Sequence, residues 1–241
     1  MTHPLDNPVW SSLRGQHAGF AERHGQALRY PPDVVPFAGL PAGPGPAAWA
    51  DLAALAGPGT ALALAAERSG PPGGWQALWV GEGVQLVDAG VAGAEPDVDV
   101  VRLGRADVPE MLDLTARTKP GPFLPRTYEL GDYLGIRRNG ALVAMAGERL
   151  KPPGWTEISA VCTDDAWRGH GFASRLIRVL VARIRARGDT PFLHAVATNT
   201  GAIRLYESMG FTFRQPIVFR SLQTPAESLE TPEQPVASLG D

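Results

Sequence analysis

A short turn with two glycines is the first place in this sequence where residue types and spacing suggest chemistry. The turn, RGHGFA, occupies residues 168–173 and lies between an apolar stretch and an amphipathic one. Gly169 and Gly171 can adopt positive φ angles and let a ligand approach the backbone closely. A helix that begins after the turn offers unpaired N–H groups and the positive end of its dipole, which together hold a pyrophosphate. The sequence therefore predicts a phosphate-binding turn, with Arg168 as a cationic side chain at its mouth.

A dinucleotide-binding fingerprint also places glycines in such a turn, but two features of this segment argue against it. The third glycine of that fingerprint is missing, because Ser174 stands in its place. Asp189 lies at a suitable distance for an acid that binds a ribose, but it precedes the next apolar strand, whereas the ribose-binding acid follows that strand. An NAD-binding site is therefore rejected.

An amphipathic helix is predicted directly after the turn. Its apolar positions recur every three or four residues, at Phe172, Leu176, Ile177, Leu180 and Ile184. The helix is expected to end near Gly188. The arginines between these positions fit a solvated helix face better than a nucleic-acid site, because the formal net charge is −3 and no aromatic residues are interleaved. No nucleic-acid partner is expected.

Residues 97–222 resemble the GNAT superfamily of N-acetyltransferases. The family motif R/Q-x-x-G-x-G/A is matched by Arg168, Gly171 and Ala173. A second motif, N-x-x-A-x-x-x-Y-x-x-x-G-F, is matched by Asn199, Ala202, Tyr206, Gly210 and Phe211. The two motifs occur in the family's order, with a helix of suitable length between them.

This resemblance implies an α/β (α+β) fold with a central mixed, mostly antiparallel sheet that is splayed at the cofactor site. Two parallel strands, 158–163 and 192–197, would part, and the pantetheine arm of acetyl-CoA would fill the gap as an added strand. Acetyl-CoA is the expected co-substrate, and no metal is expected. The residues expected to bind it are Val161, Cys162, Thr163, Arg168, Gly169, His170, Gly171, Phe172, Ala173, Ser174, Asn199 and Tyr206.

Acetyl transfer from a thioester to an amine requires a neutral amine, a polarised carbonyl and a proton for the leaving thiolate. The resemblance implies that Tyr206 is the acid that protonates the thiolate. Glu157 is the candidate base, because it lies on the strand that leads to the cofactor, and His194 on the second strand is its rival. Cys162 could form an acyl-cysteine, but no base is paired with it in the sequence, so direct transfer in a ternary complex is expected.

Composition sets wider limits on the class of protein. The 241 residues include 44% hydrophobic residues and one cysteine, which supports a substantial core and excludes an intramolecular disulfide. No run of eighteen apolar residues suggests a membrane span, and MTHPLDNPVW lacks the pattern of a signal peptide. A cytoplasmic monomer or homodimer, without a membrane partner, is therefore expected.

Three regions are predicted along the chain. Residues 1–95 are expected to form an α/β extension or a degenerate GNAT-like domain, and the resemblance implies that residues 97–222 form the GNAT domain itself. Residues 223–241 are expected to be a disordered tail. Within the extension, the sequence predicts a helix over 10–25, a helix over 47–56, a strand over 60–66 and a hairpin of strands 75–80 and 84–88 around Gly81-Glu82-Gly83. We expect the extension to pack against the sheet face or the helix of the 98–150 segment and to bury Trp75 or Trp79.

The acceptor of the acetyl group carries no readable motif. The extension and residues 107–130 are expected to shape its pocket, because these are the segments that the cofactor motifs leave unexplained. Two other functions stay open: a CoA-binding regulatory module that has lost catalysis, and an acyltransferase that uses a different acyl-CoA.

Overall fold

The computed structural model describes residues 3–65 and 70–226. Its helices are α1 Pro8–Arg14, α2 Pro46–Ala56, α3 Val108–Thr118, α4 Phe172–Ala186 and α5 Thr200–Met209. Its strands are β1 Glu22–His24, β2 Ala27–Arg29, β3 Ala38–Gly39, β4 Ala61–Ala65, β5 Gln76–Asp88, β6 Val100–Leu103, β7 Tyr133–Arg138, β8 Ala141–Glu148, β9 Trp155–Thr163, β10 Thr190–Val196 and β11 Phe211–Gln223. None of the helices in the described ranges is long and apolar enough to cross a membrane.

Eight of the strands form one large sheet in the order β4-β11-β5-β10-β9-β8-β7-β6. Only β9 and β10 run parallel, and every other neighbouring pair is antiparallel. The predicted mixed, mostly antiparallel sheet is therefore confirmed. Asn139 and Gly140, a pair typical of tight hairpins, both have positive φ angles and join β7 to β8.

The strand β5 lies in the middle of this sheet, between β10 and β11. Residues 1–95 do pack against the 98–150 segment, since Leu5, Val34 and Phe37 share an apolar cluster with Leu130 and Leu150. They also do more than that, because β4 and β5 are strands of the shared sheet. Apart from the three short strands β1–β3, the described part of this extension forms no sheet of its own. The predicted boundary near residue 95 divides the sequence but not the sheet.

The predicted hairpin over 75–88 is wrong, because β5 runs through Gly81 and Gly83 without turning. These glycines make room for neighbouring side chains and for a neighbouring strand. A Cβ atom on Gly83 would lie 2.4 Å from the Phe219 ring and 2.9 Å from the carbonyl oxygen of Ala195. A glycine pair in a sequence is therefore equally compatible with close packing inside a sheet.

The helix predicted over 10–25 is also wrong, since α1 ends at Arg14 and β1 begins at Glu22. Asn7 caps α1, with its side chain accepting a hydrogen bond from the Trp10 N–H at 3.4 Å. Gly25 has a φ angle of 48° and forms the turn of the hairpin β1–β2. The C-terminal end of the 10–25 segment thus forms a strand instead of a helix, because tertiary pairing prevails over local helix propensity.

Residues of the predicted tail that the structure describes are ordered. Gln223 ends β11, and the buried Thr224 donates a hydrogen bond from its hydroxyl to the Gly57 carbonyl at 2.6 Å. The rest of the predicted tail, 227–241, lies outside the described residues.

Alternation of side chains places different helices on the two faces of the sheet. Ala144, Ala146 and Leu193 face α4 in the largest apolar cluster. Met145 faces the opposite side and packs with α3, and Phe192 packs with α1 and the residues around it. The extension therefore covers the face of the sheet opposite α4, which is the face on which β9 and β10 expose Phe192 and its neighbours.

A chain that lacks residues 1–95 should not fold cooperatively, because β10 and β11 would lose the strand between them. We expect the 97–241 fragment to melt without a sharp transition in circular dichroism, and addition of residues 1–95 as a separate chain to restore one. A fragment that is monomeric and melts cooperatively on its own would contradict this prediction.

Candidate active site

The glycine turn forms an open cradle of backbone N–H groups at the start of α4. Gly169 and Gly171 have φ angles of 83° and 73°, and a Cβ atom built on either would meet nothing within 4 Å. Within the described residues, the N–H groups of 169–174 have no hydrogen-bond acceptor, and the first bond of the helix runs from Arg175 to the Gly171 carbonyl. The cradle therefore has the room and the donors that a pyrophosphate requires.

The parallel strands β9 and β10 part beside this cradle. They pair at Trp155–Thr190, Thr156–Pro191 and Glu157–Phe192 and then diverge. Each strand is held by its other neighbour, because β8 still pairs with β9 and β5 still pairs with β10. The gap that the resemblance implied is therefore present, and the strand edges that face it are available to a ligand with amide groups.

A β-bulge lies in β9 at the widening of the gap. Met145 pairs with Cys162 and Gly147 with Ser159, so Ala160 and Val161 together oppose one residue of β8. Ala160 has a φ angle of 52°, a left-handed conformation that costs an alanine about 1–2 kcal/mol. Such strained bulges redirect the backbone near functional sites, and this one brings the backbone of Val161 to the gap.

A groove of about 630 Å³ connects the gap with the cradle. All but one of the residues predicted to bind the cofactor line it: Val161, Cys162, Thr163, Arg168, Gly169, Gly171, Phe172, Ala173, Ser174, Asn199 and Tyr206. His170 is the exception, because its Nδ1 atom lies 3.1 Å from the carbonyl oxygens of Trp167 and Arg168 and the ring turns away from the groove.

Sequence reasoning missed the opposite wall of this groove. Thr118, Lys119 and Pro120, at the end of α3, contribute that wall. Lys119 has a φ angle of 50° and ends the helix in the left-handed conformation. The sequence predicts residues 107–130 as part of the acceptor pocket and not of the cofactor site. Their place opposite β9 depends on the tertiary fold, which no local pattern reveals.

Tyr206 on α5 lies where the groove meets a second cavity. Its side chain is 8% exposed, and burial raises its pKa to about 12. The phenol therefore keeps its proton throughout the neutral pH range. Asn199, which also lies at this junction, caps α5 by accepting a hydrogen bond from the Ala202 N–H at 3.2 Å.

Cys162 is placed in the groove but not as a nucleophile. Burial raises the pKa of its thiol to about 11, so the thiolate that would attack a thioester is scarce at neutral pH. Its environment therefore favours transfer without an acyl-cysteine.

The second cavity, here called the inner cavity, measures about 400 Å³ and lies on the face of the sheet that the extension covers. Its walls come from β4, the end of β11, the diverging strands β9 and β10, and the loop 119–122. Phe37, Leu62, Leu64, Trp79 and Phe219 give it an apolar and aromatic lining. It shares Lys119, Pro120, Val161, Asn199 and Tyr206 with the groove.

A buried ion pair forms one end of the inner cavity, at the point where β9 and β10 part. Arg149 donates from Nε and Nη2 to the two carboxylate oxygens of Glu157, at 2.9 and 2.8 Å. Glu157 is fully buried. Burial alone would raise its pKa, but the charge and hydrogen bonds of Arg149, with a further bond from His194, hold it well below its usual range.

These contacts do not support the prediction that Glu157 is the general base. Both of its oxygens already accept hydrogen bonds, and a carboxylate with so low a pKa takes up a proton from an amine poorly. Its position instead orients Arg149, which lines the inner cavity, whereas Glu157 does not.

His194 is also part of this buried network. Its Nδ1 lies 2.7 Å from Glu157 Oε1, and its Nε2 lies 2.9 Å from Gln85 Nε2. The Gln85 amide is oriented by Arg214, which donates to its Oε1 at 2.8 Å, so Gln85 Nε2 must donate. His194 Nε2 is therefore an acceptor, and the ring is the neutral tautomer that donates from Nδ1 to Glu157. The lone pair on Nε2 already accepts the hydrogen bond from Gln85, which argues against His194 as the general base as well.

Replacing Glu157 by Gln should destabilise the fold by about 3–5 kcal/mol at pH 7, because Arg149 would keep a buried charge without a counterion. The folded-state pKa of Glu157 is depressed, so its contribution is present above the unfolded value of about 4.5 and is lost as the pH falls below it. The difference between the two proteins in urea unfolding should therefore narrow below pH 4.5.

The matched control is Asp113→Asn, which removes an exposed partner of Arg117. That change should cost less than about 1 kcal/mol at any pH. Equal effects of the two substitutions would show that the Arg149–Glu157 pair does not stabilise the fold.

Comparisons with known proteins match this architecture. Residues 133–219 match the family model of FR47-like proteins. The chain is 36% identical over 131 residues to the N-alpha-acetyltransferase RimI of Mycobacterium tuberculosis, which covers 50% of this chain and 81% of that relative. A mycothiol acetyltransferase of Brachybacterium faecium is 32% identical over 111 residues, and the match spans only 34% of its length.

Solved structures extend the likeness beyond the C-terminal half. A crystal structure from Novosphingobium aromaticivorans, assigned to the GNAT family of acetyltransferases, has a TM-score of 0.85 and 40% identity and covers 92% of this chain and 99% of its own. A GCN5-related N-acetyltransferase from Kribbella flavida, at 18% identity and a TM-score of 0.57, shares the fold. This chain belongs to the GNAT superfamily and is an acyl-CoA-dependent acetyltransferase.

Proposed function

We propose that the protein transfers an acetyl group from acetyl-CoA directly to a primary amine while both substrates are bound. The observation that carries this proposal is the junction of the groove and the inner cavity at Tyr206, Asn199 and Val161. A thioester that enters from the groove and an amine that enters from the inner cavity meet there. Because both can be present together, no covalent enzyme intermediate is required.

The groove fits the two ends of acetyl-CoA separately. The cradle of N–H groups over 169–174 suits the pyrophosphate, and Arg168 lies beside it on the surface. The gap between β9 and β10 suits the amides of the pantetheine arm, because the parted strands leave backbone groups without a partner strand. This division directs the thioester toward the bulge at Ala160 and toward Tyr206.

In the proposed step, the amine nitrogen forms a bond to the thioester carbonyl carbon, and the carbon–sulfur bond breaks. Tyr206 gives its proton to the departing CoA thiolate, and the nitrogen loses one proton to water, from which the phenolate is reprotonated. The products are an N-acetylated amine and CoA. Backbone N–H groups of the bulged strand supply hydrogen bonds for the carbonyl oxygen as it gains charge.

The amine reaches this site in its neutral form without a dedicated carboxylate base. Among the described residues, the charged residues that line the inner cavity are Lys119, Arg149 and Arg220. Because Glu157 compensates the charge of Arg149, the ammonium of Lys119 is the charge that disfavours the protonated form of a bound amine and lowers its pKa from the usual value of about 10. The electrostatics of the cavity therefore take over the role that Glu157 was expected to play.

Gly171→Asp should weaken acetyl-CoA binding by more than about tenfold, because it places a carboxylate against the pyrophosphate at the helix N-terminus. Gly188→Asp is the matched control, since Gly188 has a φ angle of 87° and equally open surroundings at the other end of α4. Both variants carry the same backbone strain, so titration calorimetry separates strain from charge. Equal affinities in the two folded variants would contradict the proposed cradle.

Tyr206→Phe should lower kcat by about a hundred- to ten-thousandfold and leave the Kd of acetyl-CoA nearly unchanged, because it removes only the proton donor. With a pKa of about 12, Tyr206 should not produce a loss of rate below pH 10 in the unaltered protein. Tyr128→Phe is the control, because Tyr128 lines neither the groove nor the inner cavity. A full kcat in Tyr206→Phe would make Tyr206 a packing residue.

A further inference from the structure

The inner cavity contains a guanidinium group with one unused edge. Arg149 is 8% exposed, and its Nε and Nη2 atoms each donate a hydrogen bond to Glu157. Its Nη1 atom has no acceptor among the described residues, yet Arg149 lines the cavity. A Cβ atom on Gly121 would lie 4.0 Å from Nη1, which places this edge toward the loop 119–122. Two N–H donors are therefore fixed in place and open to a ligand.

Two contacts hold that guanidinium rigidly. The bidentate pair with Glu157 fixes its plane, and its central carbon lies 4.9 Å from the centre of the Phe37 ring. A donor that is already immobilised loses little conformational entropy when it binds a ligand. Arg149 is thus built as a binding group rather than as a flexible surface charge.

The charges around this edge select the sign of the ligand. Glu157 compensates the charge of Arg149, and among the described residues the cavity lining adds the ammonium of Lys119 and contains no aspartate or glutamate. A second ammonium or guanidinium group on the acceptor would meet like charge, whereas a carboxylate would be compensated and would accept the hydrogen bonds of Nη1.

The remaining lining selects the body of the ligand. Phe37, Trp79 and Phe219 present aromatic surface, and Trp79 and Phe219 are stacked with ring centres 6.5 Å apart. The strands β4 and β11 close this side of the cavity, whose volume of about 400 Å³ suits a small molecule.

Resting on the function proposed above, we infer that the acceptor is an amine that carries a carboxylate on a compact apolar or aromatic body, such as a free amino acid. Its carboxylate binds Nη1 of Arg149, its side chain packs on the aromatic lining, and its amine lies toward Tyr206. The product is the corresponding N-acetyl amino acid, and no co-reactant other than acetyl-CoA is needed. Polyamines and basic peptides are excluded by the same charges.

Three probes of nearly equal shape test this inference: L-phenylalanine, L-phenylalaninamide and phenethylamine. With acetyl-CoA, release of the CoA thiol and the mass of the acetylated product give kcat/KM for each. Loss of one charge-assisted contact predicts a preference of about ten- to hundredfold for the acid over the amide and the decarboxylated amine. L-Methionine and L-tryptophan extend the acid series, and spermidine and a tripeptide serve as cationic and peptide acceptors.

The double variant Arg149→Gln with Glu157→Gln removes both charges of the buried pair and keeps polar groups of similar shape. It should abolish the preference for the acid and leave the Kd of acetyl-CoA unchanged. The matched control is Arg126→Gln with Glu129→Gln, which removes an exposed pair outside both the groove and the inner cavity and should keep the preference. If the first double variant does not fold, the comparison of the three probes in the unaltered protein decides.

The outcomes separate this inference from the function on which it rests. Acetyl transfer to the amide, the amine or the tripeptide at a rate equal to or above that of the acids would overturn the carboxylate site and leave the acetyltransferase intact. An unchanged preference in a folded double variant would likewise overturn the role of Arg149. An absence of transfer to every amine despite acetyl-CoA binding would overturn both.

Discussion

The parting of two parallel strands is the constraint on which the rest of this structure depends. β9 and β10 pair over only three residues and then diverge, which would leave two open edges in an isolated sheet. The divergence is stable because β8 and β5 hold the outer edges, and because Arg149 and Glu157 form a buried pair with two hydrogen bonds at the fork. The gap that results is shared by the groove and the inner cavity.

The N-terminal extension supports one of the two parted strands. β5 is the strand that holds β10 on its outer side, and Gln85 on β5 orients His194 behind the ion pair. The same extension contributes Phe37 and the β4 wall of the inner cavity. Support of the cofactor gap and shape of the acceptor cavity are thus linked through one segment, so a change in this segment affects both.

Charge is distributed unevenly between the two cavities and the network behind them. The groove offers neutral backbone donors to a phosphate beside Arg168 and Lys119. The inner cavity offers cationic side chains, and the carboxylate of Glu157 at the fork is buried and already paired. A buried pair of this kind contributes little net stability compared with an apolar core. Its value here is positional, because it holds a guanidinium at a depth where a flexible arginine would not stay ordered.

The sequence by itself determined the cofactor half of this protein. The turn over 168–173, the periodic helix after it and the motif through Tyr206 depend on neighbours within a few residues, so local φ angles and side-chain periodicity were enough to predict the cradle. Only the tertiary structure decided the acceptor half. The glycines of β5 resembled a turn, Glu157 resembled a free base and Lys119 lay in an unremarkable loop. Their roles depend on partners that are far away in the sequence, such as Ala195 beside Gly83. No local pattern encodes pairing across that distance.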